Sequence, residues 1–119
     1  MLETMRAPDH ADGYDDDVLD ALGADDLVYR VWGGDWCGDC RRQLPAFASA
    51  LAAARVAEDR IVEYPVEKEA DGSKTGEKVA EYGIELIPTV VVERDGEEVA
   101  RFVEEEDEPI AAYLAERLS

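Results

Sequence analysis

The sequence predicts an α/β fold in which a central mixed sheet of four to five strands is flanked by helices on both faces. Early strand-like runs are separated by helix-like runs, which is the pattern of parallel strands joined by helices. A later β-rich run reaches Asp95-Gly96, a tight-turn signal that predicts an antiparallel hairpin. The length of 119 residues fits one domain with its own core.

The domain is expected to occupy residues 14–119. Residues 1–13 are weakly patterned and fit either a loose N-terminal arm or a short edge strand. Residues 14–22 place apolar side chains at helical spacing and are followed by Gly23, which predicts a first helix. Residues 27–32 are β-rich and lead into a Gly-Gly pair, so they predict a buried strand.

A long helix, a second strand and a short helix are expected next. Residues 37–57 carry Leu, Phe and many Ala at helical spacing. Pro45 should kink this helix, because proline lacks an N–H and its ring crowds the preceding turn. Residues 60–66 predict a strand, 67–76 a polar surface insertion in the form of a loop, and 77–82 a short helix.

The C-terminal part predicts the hairpin and a last helix. Residues 89–94 and 98–103 are rich in β-branched side chains and flank the Asp-Gly turn, so they are the expected hairpin strands. Asp107 can cap a final helix, since its carboxylate can accept from the first free N–H groups. Apolar residues at helical spacing from Ile110 onward supply the face that this helix would bury.

The charge of the chain excludes several classes of function. The 30 Asp and Glu residues outnumber the 12 Lys and Arg residues, and the formal net charge is −18. Phosphate and anionic lipid surfaces repel such a protein, so we expect neither a nucleic-acid partner nor a membrane partner. The excess of acidic residues fits either a binding surface for a cationic partner or a hydrated coat suited to high salt. Its spread over the whole length favours the coat.

The expected location is the cytoplasm. The sequence has no apolar run long enough to span a membrane. Its first residues are acidic and lack the apolar centre of a secretory signal. We therefore expect a cytoplasmic monomer.

Cys37 and Cys40 carry the chemistry that the sequence indicates most strongly. They lie at a strand-to-helix junction, where free backbone N–H groups and the positive end of the helix dipole stabilise an anion. Cys37 is therefore expected as the thiolate nucleophile that attacks disulfides. Cys40, one turn further along, can reach back to Cys37 and resolve the mixed disulfide.

Two other interpretations of this cysteine pair are weaker. A zinc site would need two further ligands, but the chain has no other Cys and its single His, His10, is far away in sequence. Two incidental core cysteines would not explain the flanking Trp36 or the position at the start of a helix. We expect no metal.

Three motifs carry a resemblance to a known family. They lie at the strand-to-helix junction and ahead of the hairpin: Trp36-Cys37-Gly38-Asp39-Cys40, Tyr82-Gly83-Ile84 and Ile87-Pro88-Thr89. With the long proline-containing helix and the final hairpin and helix, they make residues 14–118 resemble the thioredoxin family. The resemblance implies a thioredoxin fold and thiol-disulfide exchange by a redox-active disulfide, Cys37–Cys40, with no bound cofactor.

The resemblance also implies roles for residues around the cysteines. Pro88 would be a cis proline that faces the disulfide, as X–Pro bonds permit at low cost. Ile87 would offer backbone hydrogen bonds to an extended substrate segment. Trp36 would shield the sulfurs and supply an apolar contact to the substrate.

Two departures from the family pattern bear on redox tuning. Gly38-Asp39 stands between the cysteines where the family usually has Gly-Pro, and a carboxylate beside the sulfurs is expected to disfavour thiolates. Val31 occupies the position, six residues before the first cysteine, where the family has a buried Asp. Glu63 on the next strand is a candidate substitute that could accept the proton of Cys40. It could instead be an exposed strand residue or an ion-pair partner of Arg30.

The expected function is reduction of protein disulfides by the Cys37/Cys40 dithiol, with a separate reductase to recycle it. An alternative is a binding, adaptor or redox-sensing module that shares the fold but does not turn over. A disulfide donor or isomerase is also open, because the residues between the cysteines tune the potential. The absence of an export signal in the sequence counts against that last role.

Overall fold

The computed structural model describes residues 16–23, 26–34, 37–68, 74–76, 78–84, 86–103 and 110–118. In chain order the elements are α1 (Asp16–Leu22), β1 (Leu27–Gly33), α2 (Gly38–Ala53), β2 (Ile61–Pro65), β3 (Glu67–Lys68), β4 (Lys74–Thr75), α3 (Val79–Tyr82), β5 (Thr89–Arg94), β6 (Glu97–Val103) and α4 (Ile110–Leu118). A single 3-10 turn precedes β2. The predicted arm at residues 1–13 and the proposed cap Asp107 lie outside the described residues.

The main sheet is mixed, as predicted. Its strand order is β2-β1-β5-β6, with β1 parallel to β2 and the other neighbours antiparallel. The parallel pair needs a crossover, which α2 supplies, and the antiparallel pair β5–β6 is joined by the tight turn at Asp95-Gly96. Both turn residues have positive φ, 56° and 84°, the conformation that Asp-Gly adopts most readily in two-residue hairpins.

Side chains of one sheet face pack under the long helices. Tyr29 of β1 is fully buried, and its ring meets Phe47 of α2 edge-on at 6.0 Å between centroids. Its hydroxyl donates to the carbonyl oxygen of Leu22 at the end of α1, 2.6 Å away. At the other side of the same face, Phe102 of β6 packs edge-on against Tyr113 of α4 at 5.4 Å. This face therefore joins α1, α2 and α4 to the sheet.

The opposite face carries an aromatic cluster beneath α3. Trp32 follows Val31 in β1 and, because strand side chains alternate, points to the other side of the sheet. Its indole stacks on Tyr64 of β2 at 4.6 Å and lies 5.0 Å from the ring of Tyr82 in α3. Helices therefore cover both faces, as predicted.

The long helix ends earlier than the sequence suggests. α2 stops at Ala53, not near residue 57, and the chain leaves it through Arg55 in the left-handed conformation, with φ 62°. The N–H of Arg55 bonds to the carbonyl oxygen of Ala52, and that of Val56 to Leu51. This is the pairing of a Schellman ending. No glycine marks it, so the sequence carried no stop signal. The helix continues through Pro45; the kink stays a prediction.

The polar segment after β2 is not simply a loop. Its ends form the short antiparallel strands β3 and β4, in which Glu67 pairs with Thr75 and Lys68 with Lys74. Gly76 follows β4, and a Cβ there would lie 2.9 Å from the carbonyl oxygen of Pro65. The prediction of a loop was wrong for these two-residue strands, because runs so short show no periodicity.

Candidate active site

Cys37 occupies the N-cap of α2. Its backbone is extended, with φ −90° and ψ 123°, and its sulfur accepts a hydrogen bond from the backbone N–H of Cys40 at 3.5 Å. The residue is half-buried and packs against the edge of the hydrophobic core. The N–H groups of a helix start lack intrahelical partners, and the bond to the Cys37 sulfur satisfies one of them.

Cys40 lies one turn further into α2 and is fully buried. Its sulfur accepts from the backbone N–H of Gly34 at 3.5 Å, which joins the end of the β1 segment to the first turn of the helix. Both cysteines are thiols in this structure. The two cysteines therefore differ in burial, and Cys37 is the more exposed of the pair.

A loop from the other half of the chain reaches Cys37. The Ile87–Pro88 peptide bond is cis, as the family resemblance implies. The thiol of Cys37 lies 3.9 Å from the carbonyl oxygen of Ile87, toward which it is directed as a donor. Ile87 and Pro88 are buried, and the hydroxyl of Thr89 donates to the carbonyl oxygen of Leu86 at 2.5 Å. The structure thus brings Cys37, Cys40 and Ile87 together, and Pro88 follows Ile87 in the chain; the substrate-binding roles of Ile87 and Pro88 stay predictions.

Comparison with known proteins identifies the family. The family model for thioredoxin matches residues 8–116. The chain belongs to the thioredoxin family. A search of curated proteins found no significant match.

Solved structures of other thioredoxins share the fold at low sequence identity. A mutant thioredoxin from Halobacterium salinarum NRC-1 is 22% identical, with 95% of this chain and 91% of that chain covered and a TM-score of 0.53. The Malassezia sympodialis thioredoxin is 20% identical, with 96% and 94% covered and a TM-score of 0.54. Mitochondrial thioredoxin 3 from Saccharomyces cerevisiae, in its oxidized form, is 21% identical, with 69% and 70% covered and a TM-score of 0.50.

The position where thioredoxins carry a buried acid is apolar in this family member. Val31 is fully buried in β1, and Glu63 of β2 is its direct partner in the parallel register. Directly paired residues point to the same side of a sheet, so Glu63 shares the face of Val31. The expected alternative partner, Arg30, points to the opposite face and pairs with Glu93 instead. The ion pair of Arg30 with Glu63 was therefore a wrong expectation.

Of the three other residues predicted for this site, only Gly38 is described in full. Gly38 opens α2 and is exposed, and a Cβ there would meet nothing within 4 Å, so packing does not require glycine. Asp39 lies in the first turn of α2, but its side chain is outside the described part. Trp36 lies outside the described residues. The tuning role of Asp39 and the shielding role of Trp36 stay predictions.

Sequence reasoning missed a polar network on the face opposite to Val31. The guanidinium of Arg30 donates from Nε to Oε1 of Glu93 at 2.6 Å and from Nη1 to the hydroxyl of Tyr64. The hydroxyl of Tyr82 donates to Oε2 of Glu93 at 2.7 Å. The available signal was a charged residue at Arg30 within the apolar run 27–32 and another at Glu93, directly after the apolar run 90–92, which indicates a pair across neighbouring buried strands.

The network holds Glu93 in its charged form. Burial raises the pKa of this carboxyl, but the hydrogen bonds from Arg30 and Tyr82 outweigh it and leave the pKa below its usual range. The same hydrogen bond to Glu93, helped by burial, raises the pKa of the Tyr82 phenol. At neutral pH the guanidinium of Arg30 therefore faces the carboxylate of Glu93, and the charges of this pair balance.

The described part of the chain offers neither a metal-ligand cluster nor a membrane-spanning helix. Among these residues no group of three or more His, Cys, Asp or Glu side chains could hold a metal ion. None of the described helices is long and apolar enough to cross a membrane.

Proposed function

We propose that this thioredoxin-family protein is a thiol-disulfide oxidoreductase that reduces protein disulfides in the cytoplasm. The observation that carries the proposal is the placement of a half-buried Cys37 at the N-cap of α2, with a fully buried Cys40 one turn further along. The carbonyl oxygen of Ile87 beside Cys37 supports binding of an extended substrate segment by backbone hydrogen bonds.

The reaction needs only the two cysteines and the substrate. The Cys37 thiolate attacks one sulfur of the substrate disulfide, which forms a mixed disulfide and releases the first substrate thiolate. Cys40 then gives up its proton and attacks the Cys37 sulfur, which forms the Cys37–Cys40 disulfide and releases the second substrate thiolate. Two electrons pass to the substrate, and a separate reductase returns the protein, a monomer in this proposal, to the dithiol. No cofactor or metal takes part.

Reduction of insulin in the presence of dithiothreitol tests this proposal. We expect the protein to accelerate precipitation of the reduced insulin chains well above the rate with dithiothreitol alone, because the positioned thiolate replaces a free one in solution. The matched control is the protein alkylated at its thiols, which should give the background rate. An unmodified protein that also gives only the background rate would contradict the proposal.

A second candidate function is an adaptor or redox-sensing module without turnover. The buried Val31, where thioredoxins carry an acid, is the observation that favours it. The reduction potential of the cysteine pair against glutathione separates the two functions. The cysteine pair of a reductase should have a reduction potential within the range of the cytosolic glutathione pool, about −220 to −320 mV. A potential far outside this range would favour the adaptor.

We further propose that Glu63 accepts the proton that Cys40 loses. It is half-buried, and its direct strand partner is Val31. Glu63→Gln should slow the resolving step by about 10-fold or more, because general-base assistance is lost, so the mixed disulfide should persist. The first attack by Cys37, followed by alkylation, should keep its rate. Glu97→Gln, the same charge change at an exposed position of β6, is the control. A wild-type rate of resolution in Glu63→Gln would remove Glu63 from the mechanism.

A further inference from the structure

The short helix α3 cannot hold its own position. It comprises one turn, Val79–Tyr82, and none of its residues is buried. Its N-cap, Lys78, has a left-handed backbone with φ 62° and makes no side-chain capping bond. A single turn fixes several dihedral angles for very few hydrogen bonds, so it is unstable without tertiary contacts. What anchors α3 therefore decides where the segment after it lies.

Besides the apolar contacts of Val79 and Ile84 with the core, the polar anchor of α3 is Tyr82, which three strands of the main sheet hold. Its hydroxyl donates to Oε2 of Glu93 in β5 at 2.7 Å, and its ring lies 5.0 Å from Trp32 in β1. Its carbonyl oxygen, at the end of the helix, accepts from Nη1 of Arg101 in β6 at 2.9 Å. Glu93 is itself fixed, since Arg30 of β1 donates to its other oxygen at 2.6 Å. Glu93 is therefore the centre of the anchor.

The segment that follows this anchor is the one that reaches Cys37. Only six residues separate Tyr82 from Thr89, where β5 begins. Ile87, within that segment, places its carbonyl oxygen 3.9 Å from the sulfur of Cys37. A connection this short has little freedom once both ends are held. Tyr82 and the buried Ile84 hold one end of this segment and β5 holds the other, so loosening Tyr82 weakens one of the two holds at the first end.

We infer that Glu93, held by Arg30, is a positioning residue that acts through Tyr82 to fix the backbone of Ile87 for binding of a protein substrate at Cys37. The inference rests on the proposed reductase function. It deepens that function by separating two substrate classes. An extended polypeptide disulfide uses the backbone of residue 87, whereas a small-molecule disulfide needs only the Cys37 sulfur. Loss of the anchor should impair the first class and spare the second.

The test compares Tyr82→Phe and Glu93→Gln with Glu81→Gln. Tyr82→Phe removes one hydroxyl and leaves the ring, so it tests the anchor even if Glu93→Gln folds poorly with Arg30 left unbalanced. Glu81→Gln makes the same charge change on the same helix but only breaks an exposed pair with Lys78. The measurements are kcat and KM with insulin, the rate with a small aromatic disulfide, and amide hydrogen exchange over residues 84–89.

We expect both anchor variants to raise KM for insulin by roughly 3- to 10-fold, the range that one lost hydrogen bond can produce. Their kcat and their rate with the small disulfide should stay within about twofold of wild type, and exchange over residues 84–89 should become faster. Glu81→Gln should match wild type throughout. Equal losses with both substrates, or unchanged exchange in the anchor variants, would overturn the inference. If wild type itself reduces no insulin, the proposed function fails, and the exchange comparison still decides whether Glu93 positions the segment.

Discussion

Replacing Cys37 with serine is expected to abolish disulfide reduction, whereas replacing Cys40 with serine should yield a protein that reacts once and then stays attached to its substrate. The asymmetry follows from access. Cys37 is half-buried at the start of α2, but Cys40 is 0% exposed, so a protein disulfide cannot reach Cys40 first. Without Cys37 there is no accessible thiolate. Without Cys40 the mixed disulfide on Cys37 has no internal thiol to resolve it.

Insulin reduction and non-reducing gels measure the two outcomes. Cys37→Ser should give the background rate and no adduct, and Cys40→Ser should give an adduct that dithiothreitol releases. The variant that lacks both cysteines is the control for non-specific disulfides. Expression of Cys40→Ser in the native host would then identify the captured substrates. A wild-type rate in Cys37→Ser would show that the nucleophile is assigned to the wrong residue.

The melting temperature is expected to rise steeply when KCl is increased from about 0.1 to about 2 M. We propose that the acidic residues form a hydrated coat suited to high salt. At low salt their carboxylates, which give a net charge of −18 on 119 residues, repel one another in the compact state. The Debye length falls from ~10 Å at 0.1 M to ~3 Å at 1 M, which screens most of that repulsion. A relief of ~2 kcal/mol would raise the melting temperature by about 8 °C in a domain of this size.

The shape of the salt response separates screening from general salting-out. Screening should be nearly complete by about 1 M, whereas exclusion of salt from the surface continues to stabilise at higher concentrations. A variant with three exposed acids neutralised, Asp20→Asn, Asp59→Asn and Glu97→Gln, should have a higher melting temperature at low salt. Its melting temperature should also rise less when KCl is added. A melting temperature that does not change between about 0.1 and about 2 M would contradict a high-salt adaptation.

Two stretches of backbone, one predicted correctly and one not, show where local sequence signals were sufficient to predict the structure. The hairpin between β5 and β6 was predictable because Asp95-Gly96 marks a turn that these two residues favour on their own. The end of α2 was not, because Arg55 takes a left-handed conformation that favours glycine, and Val56 and Leu51 close the helix by backbone bonds. In that case the surrounding packing outweighed the preference of the residue.

The active site divides in the same way. The strand, the Cys-x-x-Cys spacing and the helix start are neighbours in sequence, so their chemistry at Cys37 and Cys40 could be read without coordinates. The contact of Cys37 with Ile87 joins residues 50 apart, and the resemblance to a family, not the pattern itself, predicted it. The salt bridge from Arg30 to Glu93 joins residues 63 apart and was not predicted at all.

The sequence by itself determined the class of fold, the redox pair and the acidity of this protein, because these depend on periodicity, local turn chemistry and composition. Only the tertiary structure decided which acid meets which base. Strand register turned Arg30 away from Glu63 and toward Glu93, and set Glu63 beside the buried Val31. Register is chosen by burial of whole faces of the sheet, which sums over many residues and cannot be read at any one of them.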